Sequence, residues 1–293
     1  MASILLFLAV IPVVVICTYI YLKDRNKEPW SLLIKLFVLG VSSCFLVLMV
    51  SGVLFEILPF MNKDTAYMTF FEVMAYAFIG VALIEEFCKW LMVYIGSYTN
   101  KAYDELYDGI VYSVYVSLGF AFLENLLYVF KNQSIVVGIS RGLLAVPGHA
   151  CDAVFMGYYL SLAKVYASQG NKALEKKNLV LSVLVPTILH GIYDFCLFAN
   201  IGILLIVFLA FVILLYIFSI KKIKLLAAQC KTTPQQVPQY QQPQYRPQYA
   251  TTPAQNQQAG YVNYQPQIVN KYCPNCGAPT NGQFCPNCGY RQN

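Results

Sequence analysis

Charge is what this chain has least of. Only 12% of its residues are Asp, Glu, Lys or Arg, against roughly 25% in an ordinary soluble domain, and 58% are hydrophobic. No water-soluble core needs that much apolar surface, so a soluble globular enzyme is excluded. The first apolar run has no positive charge before it and no A-x-A site after it. A typical cleaved signal peptide is therefore not expected, and the run should stay as an anchor. The membrane part has no internal repeat of the kind expected of a transporter. The net charge is +6, yet no basic patch is interleaved with aromatics, so no nucleic-acid partner is expected.

What the chain does have is apolar length. A helix needs about 20 residues to cross hydrocarbon. Seven runs meet that need: Ile4–Leu22, Leu32–Leu54, Met68–Ile95, Ile110–Phe130, Ile135–Tyr159, Leu179–Phe198 and Ile201–Ile220. The expected fold is an all-α polytopic membrane protein over residues 1–224 with about seven transmembrane helices. An N-terminus outside places Lys23, Arg25, Lys27, Lys101, Lys164, Lys172, Lys176, Lys177, Lys221, Lys222 and Lys224 in the cytoplasm and leaves only Lys63 and Lys131 outside. That asymmetry predicts an N-terminus out and a C-terminus in, and it accounts for the basic balance through topology and lipid contact.

Beyond residue 224 the aliphatic residues nearly vanish. Residues 225–270 are dominated by Gln, Pro, Tyr and Thr and read as a disordered linker. Residues 271–293 then carry Cys273-Pro274-Asn275-Cys276-Gly277 and Cys285-Pro286-Asn287-Cys288-Gly289. Each knuckle points two thiolates at one centre, and four cysteines predict a closed, structural zinc site, resembling the short zinc ribbons that end many bacterial membrane proteins. Such a knob is suited to recruiting a cytoplasmic partner. Cys17, Cys44, Cys88, Cys151 and Cys196 read as small apolar packing residues, and Cys230 as juxtamembrane.

Inside the apolar runs lie Glu72, Glu85, Glu86, Glu124, Asp152 and Asp194 with the chain's two histidines, His149 and His190. An ionisable side chain at mid-membrane costs roughly 2.5–3.5 kcal/mol on insertion scales, so these groups must face one another or a water-filled cavity. On a helix Lys89 stands four residues from Glu85 and three from Glu86, close enough for an ion pair that leaves a second carboxylate beside it. Two adjacent acids in low dielectric cannot both ionise cheaply unless a cation holds them, the condition a general base exploits. Glu124-Asn125 sets an acid beside an amide, which by itself would serve as well to hold two helices together. Arg141, His149 and Asp152 share the fifth span, with His149 and Asp152 spaced to pair. In His190-Gly191-Ile192-Tyr193-Asp194 the spacing of four stacks imidazole over carboxylate.

Glu85-Glu86-x-x-Lys89, Phe120-x-x-x-Glu124-Asn125, the Arg141-to-His149 segment and His190-x-x-x-Asp194 occur in this order on successive spans. In this the chain resembles the PrsW family of intramembrane proteases over most of residues 1–220. Asp108-Gly109-Ile110-Val111-Tyr112 and Pro147-Gly148-His149 fit the same pattern, and a weaker similarity extends to the CAAX prenyl endopeptidases. The resemblance implies a bacterial cell-membrane protease that cleaves a membrane-anchored protein, typically an anti-sigma factor, in a signalling or stress response. It implies Glu85, Glu86, Glu124, Asn125, His149, His190 and Asp194 as the catalytic set, supported by Lys89 and Arg141.

No G-x-S-G, G-x-G-D or H-E-x-x-H occurs, so serine, paired-aspartate and zincin chemistries fit less well and activated water is the remaining attacker. Two mechanisms stay open. Glu85 or Glu86 deprotonates water with His149 assisting and His190 and Asn125 stabilising the oxyanion, or His149, His190 and a glutamate hold a catalytic zinc. The alternative outside enzymology is a membrane sensor or transporter whose buried acids form a proton or ion relay.

Overall fold

The computed structural model describes residues 2–229, 271–272 and 279–280. Residues 2–229 form nine α-helices: α1 (Ala2–Lys23), α2 (Trp30–Ile57), α3 (Phe70–Ala75), α4 (Ile84–Ser97), α5 (Leu106–Asn132), α6 (Ile135–Ser140), α7 (Val146–Ser168), α8 (Lys172–Phe198) and α9 (Gly202–Gln229). In a separate unit, Lys271–Tyr272 and Pro279–Thr280 pair as a two-residue antiparallel ladder. The four ribbon cysteines and Cys230 lie outside the described residues.

Helix boundaries follow from local chemistry. Pro29 stands at the N-cap of α2, where its missing N–H costs nothing. Thr69 and Glu72 close a capping box on α3, and Glu105 and Asp108 close another on α5. The Asn171 side chain accepts from Leu174 N at the start of α8. Gln133 ends α5 in the left-handed conformation, φ 47°.

Five helices, α1, α2, α5, α8 and α9, are long and apolar enough to cross a bilayer. The other two expected spans are helical but interrupted. A π-helical stretch, Tyr76–Leu83, joins α3 to α4, and another, Arg141–Ala145, joins α6 to α7. Both interrupted segments carry site residues, Glu85, Glu86 and Lys89 on one and Arg141 and His149 on the other, and π-turns recur at functional sites because they re-aim side chains.

α5 is the central post. In its most apolar stretch 72% of residues are buried, against 22% for α1 and α9 and 28% for α2. Two glycine contacts bring it against its neighbours. A Cβ on Gly157 of α7 would lie 2.1 Å from Gly109 O, and one on Gly40 of α2 would lie 1.9 Å from Val116 O. Outward faces of α1, α2 and α9 carry exposed Phe7, Leu48, Met49 and Ile206, the surface a helix presents to lipid.

Candidate active site

Four elements aim polar groups at one point. From α4 come Glu85, Glu86 and Lys89, from α5 Glu124 and Asn125, from α7 and its π-turn His149, Asp152 and Arg141, and from α8 His190 and Asp194. Lys89, itself fully buried, is the hub: its Nζ lies 2.8 Å from Glu86 Oε1, 3.1 Å from Glu85 Oε2 and 3.1 Å from His149 Nδ1. It also sits 4.2 Å from the centre of the Phe120 ring. Lys89 therefore pairs with both glutamates, where spacing required only one.

Each imidazole is held between partners. His190 Nδ1 meets Glu86 Oε1 at 2.9 Å, while its Nε2 is 3.4 Å from Asp194 Oδ2 and 4.0 Å from Glu85 Oε2. His149 Nε2 is 3.0 Å from Glu124 Oε2. With the Lys89 ammonium donating to Nδ1, the His149 proton belongs on Nε2, donated to Glu124. Arg141 donates to Glu124 Oε2 at 2.7 Å and to Asn125 Oδ1 at 3.1 Å, and lies 4.0 Å from the centre of the Tyr128 ring.

A cavity of about 360 Å³ opens onto this cluster, and Glu85, Glu124, Arg141, His149, Asp152, His190 and Asp194 all line it. Asn125 does not. It is fully buried and its amide donates to Ala9 O at 3.3 Å, so its donor faces α1 and its carbonyl positions Arg141.

The predicted His149–Asp152 pair does not form: His149 turns to Lys89 and Glu124 instead, and Asp152 Oδ1 is buried without a hydrogen-bond partner. Glu72 stands apart as well, capping α3 and pairing with Lys63 at 2.7 Å. Its apolar surroundings in sequence hid that it starts a helix. Tyr76 and Tyr128 line the cavity unforeseen. Tyr128 follows Glu124 by four residues, a spacing that places both on one face.

Ligand atoms of Glu85, Glu86, His149 and His190 all lie within 4.8 Å of one another, the single such group of three or more among the described residues. Two carboxylates and two imidazoles suit a borderline-soft divalent cation. Glu86 Oε2 is buried and has no hydrogen-bond partner, an orphan that a cation would satisfy. The Lys89 ammonium touches three of the four groups, so the chain supplies a cation of its own at the place where a metal fits.

Acids and imidazoles drawn from several helices onto a cavity among membrane spans equip a hydrolase for work inside the bilayer. The chain belongs to the PrsW family of intramembrane metalloproteases, whose model matches residues 28–219. It is 37% identical to Protease PrsW of Oceanobacillus iheyensis over 215 residues, 73% of this chain and 91% of that one. Against Protease PrsW of Geobacillus kaustophilus the identity is 40% over 194 residues, 65% of this chain and 78% of the other. Against that of Bacillus subtilis it is 36% over 214 residues, 73% and 91%. No solved structure matches the chain. The protein is thus a peptidase of the membrane, as the ordered motifs implied, and a membrane protein is its class of substrate.

Proposed function

We propose that the protein cleaves a single-span, membrane-anchored protein such as an anti-sigma factor, by water activated at the Glu85–Glu86–His149–His190 cluster, and so releases a signalling or stress response. The observation that supports it is the convergence of those four groups within 4.8 Å beside a cavity among the spans. Glu85 lines the cavity and takes the proton from water, while Glu86, fully buried between Lys89 and His190, holds both in place. His190, held at Nδ1 by Glu86, donates from Nε2, the nitrogen nearest the cavity-lining Asp194 and Glu85, to the developing oxyanion or the leaving amine. Glu124, held by Arg141, fixes the His149 ring, and Asn125 fixes Arg141. Were a metal bound, Glu85, Glu86, His149 and His190 would hold it, His149 in place of its contact with Lys89, and the metal would supply Lewis acidity and a more acidic water.

In this reading residues 1–224 form seven spans, the two interrupted segments included, with the N-terminus outside and the C-terminus in the cytoplasm. Residues 225–270 tether a ribbon, 271–293, in which Cys273, Cys276, Cys285 and Cys288 hold a structural zinc and present a docking knob to a cytoplasmic partner.

The test is substrate cleavage at matched membrane levels by Glu85→Gln, Glu86→Gln and His190→Ala. Each should lose activity by roughly 10²–10⁴-fold or more while remaining inserted. Near-normal cleavage by all three would sink this site and favour an ion or proton relay.

A further inference from the structure

On the far side of α7 from the active cavity lies a second one, of about 510 Å³, between α1, α7 and α9. Gly148, His149 and Asp152 face the active cavity, whereas Pro147, Cys151 and Val154 face this cleft. Its size falls within the roughly 300–1,000 Å³ of small-molecule sites. The walls are mostly apolar, Ile20 and Ile223 among them, and two lysines line it as well: Lys23, the last residue of α1, and Lys224 in the final turns of α9. Both are exposed, and neither forms an ion pair with a carboxylate among the described residues. Farther in lies the buried Ser219, beside Cys151.

Lysines at helix ends commonly snorkel to the membrane surface without binding anything in particular. Here the first and last helices of the membrane unit bring two of them to one apolar cleft. That combination fits an amphiphile with an anionic head and a hydrocarbon body, and basic pockets between transmembrane helices are known to take such headgroups.

We propose that the α1–α7–α9 cleft binds one anionic phospholipid, its phosphate between Lys23 and Lys224 and an acyl chain along Ile20, Val154 and Ile223. The site is independent of the catalytic proposal, because neither lysine belongs to the catalytic cluster.

The test begins with the full chain purified from vesicles containing equal phosphatidylglycerol and phosphatidylcholine, with retained lipid read by native mass spectrometry. Each lysine near a membrane surface favours an anionic headgroup about fivefold, so retention should favour phosphatidylglycerol by roughly 25-fold. Lys23→Gln with Lys224→Gln should abolish the preference without altering phosphatidylcholine retention, whereas Lys172→Gln with Lys176→Gln should leave it intact. A preference absent in the parent chain, or surviving in the Lys23/Lys224 variant, overturns the proposal. The occupant itself is read by a photo-crosslinking residue at Ile220, which lines the cleft and is 44% exposed. An adduct of phospholipid mass supports the proposal, and one to residues 230–293 or to a second copy of the chain overturns it.

Discussion

His190 Nδ1 lies 2.9 Å from Glu86 Oε1, across 104 residues of sequence. Through this contact α8 is tied to the glutamate pair of α4, and Lys89 and Glu86 between them link both histidines to a single carboxylate neighbourhood. Glu85, Glu86, Lys89, His149 and His190 each make at least one charge or hydrogen-bond contact to another member, so removing one disturbs both charge balance and position.

Lys89→Met should destabilise the membrane domain as well as inactivate it. It leaves Glu85 and Glu86 buried with no ammonium between them, and breaking a buried pair from one side costs about 3–5 kcal/mol. Detergent-resistance half-life of the purified protein reads the loss. Glu86→Gln combined with Lys89→Met should recover part of that stability but no activity, and a single variant as durable as the parent would show that Lys89 is not the hub.

Arg141→Lys should cost activity far more than stability. Lys keeps the charge near Glu124, but a single ammonium cannot reproduce the guanidinium bonds to both Glu124 and Asn125. Loss expressed in kcat, with KM little changed, is the expected pattern in a reconstituted cleavage assay. Activity equal to the parent's would remove Arg141 from the positioning role.

Gly157→Ala should loosen the α5–α7 contact. The new methyl would meet Gly109 O at 2.1 Å, so the helices must separate, and overpacking of this kind costs about 1–3 kcal/mol or more. Because α5 carries Glu124 and α7 carries His149, cleavage should fall along with stability. Gly52→Ala, where a Cβ meets nothing within 4 Å, is the matched control and should change neither.

Stability should also depend on pH through the loop between α1 and α2. Burial pushes Asp24 up to about 6, with Lys27 pulling the other way. Burial likewise pushes Glu28 up to about 7, opposed by Tyr112, whose O–H donates to Glu28 Oε2 at 2.5 Å. A carboxyl whose folded pKa is raised binds its proton more tightly folded than unfolded. These two carboxyls therefore contribute most to stability below about pH 4, and that contribution is lost as pH rises toward about 7 and is flat beyond. Melting followed between pH 4 and 8 should show this slope, and Asp24→Asn with Glu28→Gln should flatten it. An unchanged slope in that variant would assign the pH dependence elsewhere.

Reporter fusions check the topology: one after Lys224 should be cytoplasmic and one in the 56–63 loop external. Truncation before Lys271 should remove about one zinc per chain and leave insertion and cleavage intact, since the site residues all lie before residue 195. Reversed reporters, or loss of catalysis on truncation, would contradict the arrangement proposed here.

The sequence by itself determined the solvent and which polar groups must meet within it. Long apolar runs with few charges demand a bilayer, and ionisable groups inside them demand one another, so Glu85, Glu86, Lys89, Glu124, His149 and His190 were legible as one site without a contact map. Spacing within a helix likewise foretold Lys89 against its glutamates and His190 beside Asp194, because those distances are set by 3.6 residues per turn. What crosses between helices obeys no such rule. Only packing decided that His149 turns from Asp152, three residues away, to Lys89 and Glu124, and that Asn125 spends its amide on Ala9 of α1. Packing also decided that the two polar spans pass through π-helical turns and that the first and last helices bring Lys23 and Lys224 to one cleft. Partners on different helices are chosen by which faces meet, and that choice is made by the whole bundle at once.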